Sequence, residues 1–241
     1  MNIKNKEIWS KMASVPRSER FDDVYFSVED GLAETRHVFL EGNRLPDIWG
    51  DHDFRGTFVI GETGFGTGLN FLAAWQLWKT LRVNNNPRRL EFISVEKYPV
   101  NGAFIRDVLS VWEEELGDKL ARFCDLYPVP KTGAHSIDVA EDVRLTLHIG
   151  DVADVLPKLE ARVDAWFLDG FKPATNPEMW TDEVFSNMAR LSHAGTSFAT
   201  FTAAGDVRRG LQNAGFEVHK VQGFGRKRDM LTGVYAGGVK A

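Results

Sequence analysis

A glycine-rich turn and an acid just ahead of it are the first residues in this sequence that could do chemistry. The stretch FVIGETGFGTGLNF carries Gly64, Gly66 and Gly68, with Glu62 two positions before the first glycine. Glycines let the backbone adopt positive φ and let a ligand approach, because no Cβ is in the way. A helix beginning after the turn would present free N–H groups to that ligand. The other interpretation is a turn that only packs helix on strand, and the strand-turn-helix context favours ligand binding.

The spacing of the glycines separates two classes of cofactor. Dinucleotide-binding folds use G-x-G-x-x-G and place a pyrophosphate at the helix N-terminus. This turn reads G-x-G-x-G, which suits S-adenosylmethionine (SAM), a molecule with an ammonium group and no pyrophosphate. Glu96, about 30 residues after the turn, ends the next strand and can accept hydrogen bonds from ribose hydroxyls. Because NAD sites have an acid roughly 20 residues on, Glu96 alone does not separate the two cofactors.

Asp151 follows a third strand, VRLTLHIG, and has two interpretations. Methyltransferases often hold the adenine amino group at this point. Asp is also a favoured N-cap residue, and the helix VADVLPKL begins directly after it. The sequence favours neither role over the other, and one residue can serve both.

Asp169 is the candidate catalytic residue. It abruptly ends the apolar strand VDAWFL and is followed by a glycine, Phe171 and Lys172. Methylation of an amine requires the neutral nitrogen, whereas an alkylamine, with a pKa of ~10.4 for lysine, is mostly protonated near neutrality. A carboxylate here could orient the amine and receive a proton, and the Phe171 ring could pack on a base or favour a developing cation. The alternative is a tight turn with Phe171 in the core; the position at a ligand-facing strand end favours chemistry.

Alternating strand and helix patterns must position these residues. Predicted strands are TFVIGE, LEFISVE, a pair folded at residues 140–142, VDAWFLDG and GTSFATFT, with helices between most of them. This alternation predicts a mostly parallel sheet covered on both faces. The last strands, FEVHKV and DMLTGVYA, are joined by only QGFGRKR and should pair antiparallel. The sequence therefore predicts an α/β, Rossmann-like, doubly wound sheet with a C-terminal antiparallel hairpin, the plan of class I SAM-dependent methyltransferases.

Length and composition limit the organisation of the chain. Its 241 residues suffice for one full α/β domain; we expect residues 1–56 to be a lead-in that packs on a catalytic domain at 57–241. In the lead-in, DDVYFS is predicted as a short strand and GLAETRHVFLEGN as a short helix. With one cysteine, no zinc-type Cys/His spacing and no apolar run of signal or membrane-span length, we expect a cytoplasmic protein that holds no metal and contacts no membrane.

The net charge of −5 argues against nucleic-acid binding through a broad positive field, so an RNA partner would need locally concentrated charge. Positive residues do gather in the last third of the chain. They are Arg208 and Arg209 in one helix and Arg226, Lys227 and Arg228 in the hairpin loop, with Arg88 and Arg89 as a further pair. Short charged runs are most often simply solvated; their expected position beside the cavity favours RNA contact.

The runs ETGFGTGLNFL, VEKYP, DAWFLDGFKPATNPEMW and GFGRKRDML, in this order, resemble one family. It is the methyltransferase domain of the bifunctional tRNA-modifying MnmC proteins and their stand-alone relatives, and the resemblance extends from Phe21 to MLTGV near the C-terminus. It implies a SAM-dependent N-methyltransferase that acts on 5-aminomethyluridine, often 2-thiolated, at the wobble position of tRNA. The product would be 5-methylaminomethyluridine.

The resemblance also implies roles for individual residues. The SAM site would be lined by Glu62, Gly64, Phe65, Gly66, Gly68, Leu69 and Asn70, with Glu96 and Lys97 at the ribose and Asp151 near the adenine. Asp169 and Phe171 would face the substrate amine, with Tyr25 closing the pocket and Lys172 on the substrate side. The partner would be the tRNA anticodon loop, contacted by the basic residues of the last third.

Other functions stay open at this point. A SAM methyltransferase for another amine, in a small molecule or a protein, would have the same fold, although GFGRKRDML disfavours it. An NAD(P)-dependent oxidoreductase is disfavoured by the glycine spacing and the terminal hairpin, and a non-catalytic RNA-binding module would not need DGFKP. The MnmC proteins add a flavin domain; no second glycine fingerprint follows here, so we expect no oxidase activity from this chain, with the flavin oxidoreductase as a separate or fused partner.

Overall fold

The computed structural model describes residues 16–18, 20–27, 30–51, 53–81, 88–128 and 131–237. The strands are β1 (Arg17–Ser18), β2 (Asp23–Val24), β3 (Gly56–Thr63), β4 (Arg88–Glu96), β5 (Gly133–Ala140), β6 (Val143–Ile149), β7 (Val163–Leu168), β8 (Ser192–Thr200), β9 (Phe216–Gln222) and β10 (Asp229–Tyr235). The short strands β1 and β2 pair only with each other, and the main sheet runs in the order β5-β6-β4-β3-β7-β8-β10-β9.

Helices connect the strands and cover the sheet. They are α1 (Gly31–Thr35), a π-helical segment (Arg36–Glu41), α2 (Leu45–Gly50), α3 (Leu69–Thr80), α4 (Gly102–Leu109), α5 (Glu113–Leu116), α6 (Asp118–Leu126), α7 (Val152–Val155), α8 (Asp182–Leu191) and α9 (Gly205–Asn213). Short 3-10 turns lie at Ser110–Trp112, Leu156–Lys158 and Pro177–Trp180. Within the described ranges, no helix combines the length and apolar character needed to cross a bilayer.

The predicted topology is confirmed. The five adjacent strands β6, β4, β3, β7 and β8 run parallel to one another. The hairpin β9–β10 is antiparallel and adds to the sheet through β10, which pairs antiparallel with β8. The predicted fold-back at residues 140–142 is also present, as the antiparallel pair β5–β6.

Chain order reverses between β3 and β7, and this reversal creates the crevice in which open α/β sheets bind ligands. From β3 the chain moves outward through β4 and β6, then returns to place β7 on the other side of β3. The two carboxyl ends meet closely: a Cβ built on Gly64, just after β3, would lie 3.0 Å from Cα of Gly170, just after β7. The glycine turn and the candidate catalytic loop therefore touch.

The two faces of the sheet bury separate apolar clusters, because neighbouring side chains on a strand point to opposite sides. Ile60, Phe92 and Phe167 lie in one cluster. Trp166 and Phe198 lie in the other. The central strands read as almost continuous apolar runs for this reason.

The segment before β3 contributes to the first of these clusters. Leu32, Val38, Leu45 and Trp49 are buried together with Phe71 of α3. Residues 31–50 thus share a core with the sheet, while residues 1–15 lie outside the described part. The division of the chain at residue 56 stays a prediction.

Local structure differs from the sequence prediction in three places. The helix expected over GLAETRHVFLEGN changes to π-helical winding at Arg36. The helix expected over residues 102–116 is interrupted by a 3-10 turn at Ser110–Trp112. The helices α2 and α6 were not predicted; α6 is amphipathic, with Leu120 and Phe123 buried, and short segments of this kind carry a weak periodic signal.

The contact between the two loops can be tested with alanine at Gly64 and at a matched glycine. Gly56 has nearly the same φ, +87° against +86°, but a Cβ there meets nothing within 4 Å. Gly56→Ala should therefore lower the free energy of unfolding only through the strain of positive φ at alanine, by about 1 kcal/mol. Gly64→Ala should cost roughly 1–3 kcal/mol more, because the methyl group presses on backbone. Urea unfolding measures both values, and equal costs would contradict the close approach of the two loops.

Candidate active site

A cavity of about 800 Å³ opens at the carboxyl edge of the sheet, over the point where chain order reverses. Fifteen of the sequence-predicted site residues contribute to its wall: Tyr25, Gly64, Phe65, Gly66, Leu69, Asn70, Glu96, Lys97, Asp151, Asp169, Phe171, Lys172, Arg226, Lys227 and Arg228. Glu62, Gly68, Arg208 and Arg209 are not part of this wall. The structure thus brings together residues from the lead-in, four strand ends and the terminal hairpin.

Glu96 holds the glycine turn against the end of β4. Its Oε2 accepts a hydrogen bond from the backbone N–H of Gly66 at 2.9 Å, and its Oε1 accepts one from the N–H of Tyr98 at 2.8 Å. Burial raises the pKa of the Glu96 carboxyl, while the backbone N–H groups of Gly66 and Tyr98 oppose the rise. Each carboxylate oxygen has a further lone pair, so Glu96 can also accept from a hydroxyl in the cavity.

Gly66 and Gly68 have positive φ for different local reasons. At Gly66, with φ +54°, a Cβ would project toward the ring of Tyr25 at the cavity. At Gly68, with φ +76°, a Cβ would lie 2.8 Å from the ring of Phe65. Gly68 is also the N-cap residue of α3. Its position is therefore explained by packing, and the cofactor contact expected from the sequence stays a prediction.

An ion-pair chain lies along one side of the cavity. Nζ of Lys97 is 2.6 Å from Oδ2 of Asp151 and 3.0 Å from Oε2 of Glu178. The hydrogen bonds to Asp151 and Glu178 raise the pKa of the Lys97 ammonium. Oδ1 of Asp151 accepts from the N–H of Ala153 at 3.0 Å, so its N-cap role is confirmed, and the adenine contact stays a prediction.

Asp169 lies at the base of the cavity with both carboxylate oxygens engaged. Oδ1 accepts from the N–H of Gly170 at 2.8 Å, and Oδ2 accepts from Nδ2 of Asn70 at 2.7 Å. Burial raises the pKa of the Asp169 carboxyl to about 7, although these two hydrogen bonds lower it. The charge of Glu34 adds to the rise and that of Lys227 opposes it. A carboxyl with a pKa near neutrality can both take and return a proton at working pH.

Glu62 lies behind Asn70, away from the cavity. It is only 1% exposed, and it accepts from Nδ2 of Asn70 at 2.9 Å and from Oγ of Ser94 at 2.6 Å. Burial raises the pKa of its carboxyl to about 8, and the nearby Asp169 carboxylate adds to the rise. Glu62 is therefore mostly protonated at pH 7.

Phe171 stands in a group of aromatic rings at the cavity rather than in the interior core. The ring of Phe21 stacks on it with centroids 4.6 Å apart and planes inclined by 23°. The ring of Tyr25 meets it edge-on at 5.5 Å. The backbone N–H of Lys172 donates to Oδ2 of Asp23 at 3.1 Å, which ties the lead-in to the loop after β7. This arrangement gives the cavity an aromatic wall.

The predicted basic residues separate into three groups. Arg226, Lys227 and Arg228 lie at the cavity, where Nζ of Lys227 is 2.7 Å from Oε1 of Glu34. Arg208 and Arg209 lie on α9 outside the cavity wall, and Arg209 pairs with Asp206.

Arg88 and Arg89 form the third group and do not add to a basic surface. The Arg88 side chain is 6% exposed and donates to the carbonyl oxygens of Trp49 and Leu81. Arg89 pairs with Asp138 at 2.9 Å. Their place at the start of β4 puts them at the edge of the sheet opposite the cavity. Arg88 and Arg89, which the sequence shows as a further positive pair, therefore lie apart from the cations at the cavity.

The cavity wall matches the chemistry of SAM. The glycines with positive φ leave backbone accessible to a ligand, and Glu96 offers carboxylate oxygens that can accept from the ribose hydroxyls. Aromatic rings form a further part of the wall. Among the described residues, no group of three or more His, Cys, Asp or Glu side chains is arranged to hold a metal ion.

Sequence reasoning missed several residues of this site. Phe21, Asp23, Glu34 and Thr35 come from the lead-in, between 29 and 43 residues before Gly64 in the chain. They reach the site only because the lead-in folds back over the sheet edge. The weak signal available was the clustering of aromatic and acidic residues between Phe21 and Glu34.

The buried Glu62 carboxyl should make the free energy of unfolding depend on pH. Its folded-state pKa of about 8 lies above the ordinary value of 4.5, so its stabilising contribution is fully present below about pH 4.5 and is lost as pH rises through 8. Glu62→Gln removes this titration. As pH rises from 5 to 9, the free energy of unfolding of the wild type should fall relative to that of the variant, by on the order of 1–3 kcal/mol. Chemical unfolding across this range measures the difference, and parallel curves for the two proteins would contradict a protonated Glu62.

Comparisons with known proteins agree with this geometry. Residues 114–236 match the model of a family described as S-adenosyl-L-methionine-dependent methyltransferase. A bifunctional protein of Marinomonas sp., MnmC, named for tRNA 5-methylaminomethyl-2-thiouridine biosynthesis, is 51% identical over 90% of this chain and 32% of its own length. The protein of the same name from Methylobacillus flagellatus is 50% identical over 90% of this chain and 33% of its own. The chain thus spans about a third of the length of the curated relatives it matches.

Solved structures show the same fold. MnmC2 of Aquifex aeolicus superposes with a TM-score of 0.68 at 22% identity, over 93% of this chain and 68% of that one. A precorrin-6y C5,15-methyltransferase of Geobacter metallireducens superposes with a TM-score of 0.50 at 14% identity, over 92% and 94%. The α/β fold of class I methyltransferases predicted from the sequence is confirmed. The chain belongs to the S-adenosyl-L-methionine-dependent methyltransferase family, and SAM is its cofactor.

Proposed function

We propose that this chain is an N-methyltransferase that converts 5-aminomethyluridine, or its 2-thio form, to the 5-methylaminomethyl product at the wobble position of tRNA. The observation that carries the proposal is the Asp169 carboxyl, held at the base of the cavity with a pKa of about 7 beside the glycine turn. The names of relatives with about 50% identity support the substrate assignment. Nucleoside mass spectrometry of aminomethyl-tRNA incubated with SAM and the protein tests it directly.

The proposed chemistry assigns the proton to Asp169. SAM supplies a methyl group on a positively charged sulfur, which a neutral amine nitrogen can attack. The ionised Asp169 accepts a hydrogen bond from the substrate amine, orients its lone pair and takes the proton that the amine gives up. Because the carboxyl is buried, it is a stronger base than an ordinary aspartate. The aromatic ring of Phe171 stands beside this point and favours positive charge near the nitrogen.

The cofactor would be held by the glycine turn and the strand ends around it. Gly64 and Gly66 offer exposed backbone, and Glu96 would accept from the ribose hydroxyls with the oxygens that already anchor the turn. Lys97 and Asp151 would form the far side of this half of the cavity. The base-bearing half would lie toward Tyr25 and Phe171.

The tRNA would approach over the terminal hairpin. Arg226, Lys227 and Arg228 lie at the mouth of the cavity, where they would contact phosphates of the anticodon loop. Since a base paired or stacked in a loop cannot reach Asp169, the wobble nucleotide would have to be unstacked and inserted, as proteins that act on single bases require. The local placement of these cations is compatible with a net charge of −5.

The relatives support a proposal for the wider setting of the reaction. They are bifunctional proteins of about three times the matched length, and we propose association with a flavin oxidoreductase domain, fused or separate, that prepares the aminomethyl group. A tRNA substrate places the proposed reaction in the cytoplasm.

Changing Asp169 tests the proposed base. Asp169→Ala and Asp169→Asn should lower methylation of aminomethyl-tRNA by about 100-fold or more, because neither side chain can take the proton. SAM affinity, measured by calorimetry, should stay within about tenfold, and wild-type activity should rise with pH through about 7, the pKa of the Asp169 carboxyl. Full activity in either variant would remove Asp169 from the mechanism.

Two double variants test the route of the tRNA. Arg226→Ala with Arg228→Ala removes cations at the cavity mouth, and it should weaken tRNA binding and make its salt dependence shallower by about one unit of slope. Arg208→Ala with Arg209→Ala removes the same charge from α9 and is the matched control. Filter binding across salt concentrations gives both slopes. A shallower slope only in the α9 variant would show that the tRNA contacts α9 and not the hairpin loop, which would contradict the proposed route.

A further inference from the structure

Asn70 joins the two buried acids of the site. It lies in the first turn of α3 and is 6% exposed. Its Nδ2 is 2.7 Å from Oδ2 of Asp169 and 2.9 Å from Oε1 of Glu62. Its Oδ1 accepts a hydrogen bond from Oγ1 of Thr35 at 2.9 Å. A single neutral side chain therefore connects α1, α3, the end of β3 and the end of β7.

The network fixes which way the amide points. Only the NH₂ end of an asparagine can donate two hydrogen bonds, and two carboxyl groups lie at that end. The Thr35 hydroxyl faces the other end as a donor. Both N–H groups of Asn70 are thus engaged by acids, and the side chain serves Asp169 rather than offering those donors to a molecule in the cavity.

We propose that Asn70 is a positioning residue for Asp169, which orients the carboxylate and favours its ionised form for the proton transfer; this inference rests on the proposed function. Asp169 receives one donor on each oxygen, from Gly170 and from Asn70. Two donors on different oxygens fix the rotation of the carboxylate plane and leave one lone pair on each oxygen. Without Asn70 the carboxylate would be held from one side only.

The charges around Asp169 determine the direction of the pH effect. Glu34 on α1 raises its pKa, Lys227 of the hairpin loop lowers it, and the neutral Asn70 lowers it by hydrogen bonding to the ionised form. The other acid in contact with Asn70, Glu62 on β3, is mostly protonated at pH 7 because its own pKa is about 8. Loss of the Asn70 donor therefore raises the pKa of Asp169, and activity that needs ionised Asp169 moves to higher pH.

Three variants separate positioning from a merely structural role. Asn70→Asp keeps the shape but replaces the donor by a third acid, Asn70→Ala removes the amide, and Thr35→Val leaves the amide but removes its orienting donor. We expect kcat to fall by about 100-fold in Asn70→Asp, roughly 10- to 100-fold in Asn70→Ala and less in Thr35→Val. The acid limb of the pH-rate profile should shift upward in Asn70→Ala, while the SAM dissociation constant stays within about threefold.

A readout without catalysis accompanies these rates. The ¹³C carboxyl resonance of Asp169, assigned by its loss in Asp169→Asn, should titrate at higher pH in Asn70→Ala than in the wild type. If Asn70→Asp fails to fold, Asn70→Ala and Thr35→Val still give both measurements. An unchanged titration of Asp169, a normal kcat, or a loss confined to SAM affinity would overturn the proposal and make Asn70 a cofactor ligand or a bystander.

The same experiment distinguishes this inference from the proposed function. A wild-type protein that does not methylate aminomethyl-tRNA would overturn the proposed function, and the carbon titration would then still show whether Asn70 controls Asp169. An active wild type with unaffected Asn70→Ala would overturn the positioning role alone.

Discussion

The burial of one carboxyl group between two strand ends is the constraint on which this site depends. Asp169 follows an apolar strand and lies in the wall of the cavity, where partial burial makes its charged form costly unless hydrogen bonds compensate. The donors present, from Gly170 and Asn70, compensate only in part, and the pKa stays near 7. A fully solvated aspartate would be too weak a base for the proposed reaction, and a fully unpaired one would remain protonated.

The fold creates this environment through the order of its strands. Because β7 lies beside β3, the glycine turn and the loop carrying Asp169 are in contact, which requires a glycine at position 64, where a Cβ would lie 3.0 Å from Cα of Gly170. The lead-in then covers the open edge, and Thr35 reaches the buried amide network from α1. The same geometry that forms the cavity therefore also determines the basicity of the Asp169 carboxylate in its wall.

The sequence was informative wherever neighbouring residues in the chain carry the signal. The glycine turn, the acid at the end of β4 and Asp169 were each identified from residues adjacent in the chain, and Gly64, Gly66, Glu96 and Asp169 line the cavity. Their roles toward a ligand stay predictions. The antiparallel hairpin β9–β10 was also predicted correctly, because the loop between residues 222 and 229 is too short for the crossover connection that parallel strands need.

Contacts between residues far apart in the chain were not predicted, because no pattern of neighbouring residues reports them. Glu62 was expected at the ligand, yet it is 1% exposed and does not line the cavity, because its carboxyl is enclosed with Asn70 and Ser94. The stacking of Phe21 on Phe171 and the pairing of Glu34 with Lys227 join residues 150 or more positions apart. Arg88 is a charged residue that lies inside the protein. It donates hydrogen bonds to the carbonyl oxygens of Trp49 and Leu81, and no pattern of neighbouring residues predicts these contacts.

A crystal structure with adenosylhomocysteine and an anticodon stem-loop carrying 5-aminomethyluridine would show where the substrate amine lies relative to Asp169. We expect the amine nitrogen within hydrogen-bonding distance of an Asp169 carboxylate oxygen, roughly 2.6–3.2 Å, with the sulfur on the opposite side of the nitrogen. An amine beyond that distance, or a cofactor sulfur outside the cavity, would contradict the role of Asp169 as the base.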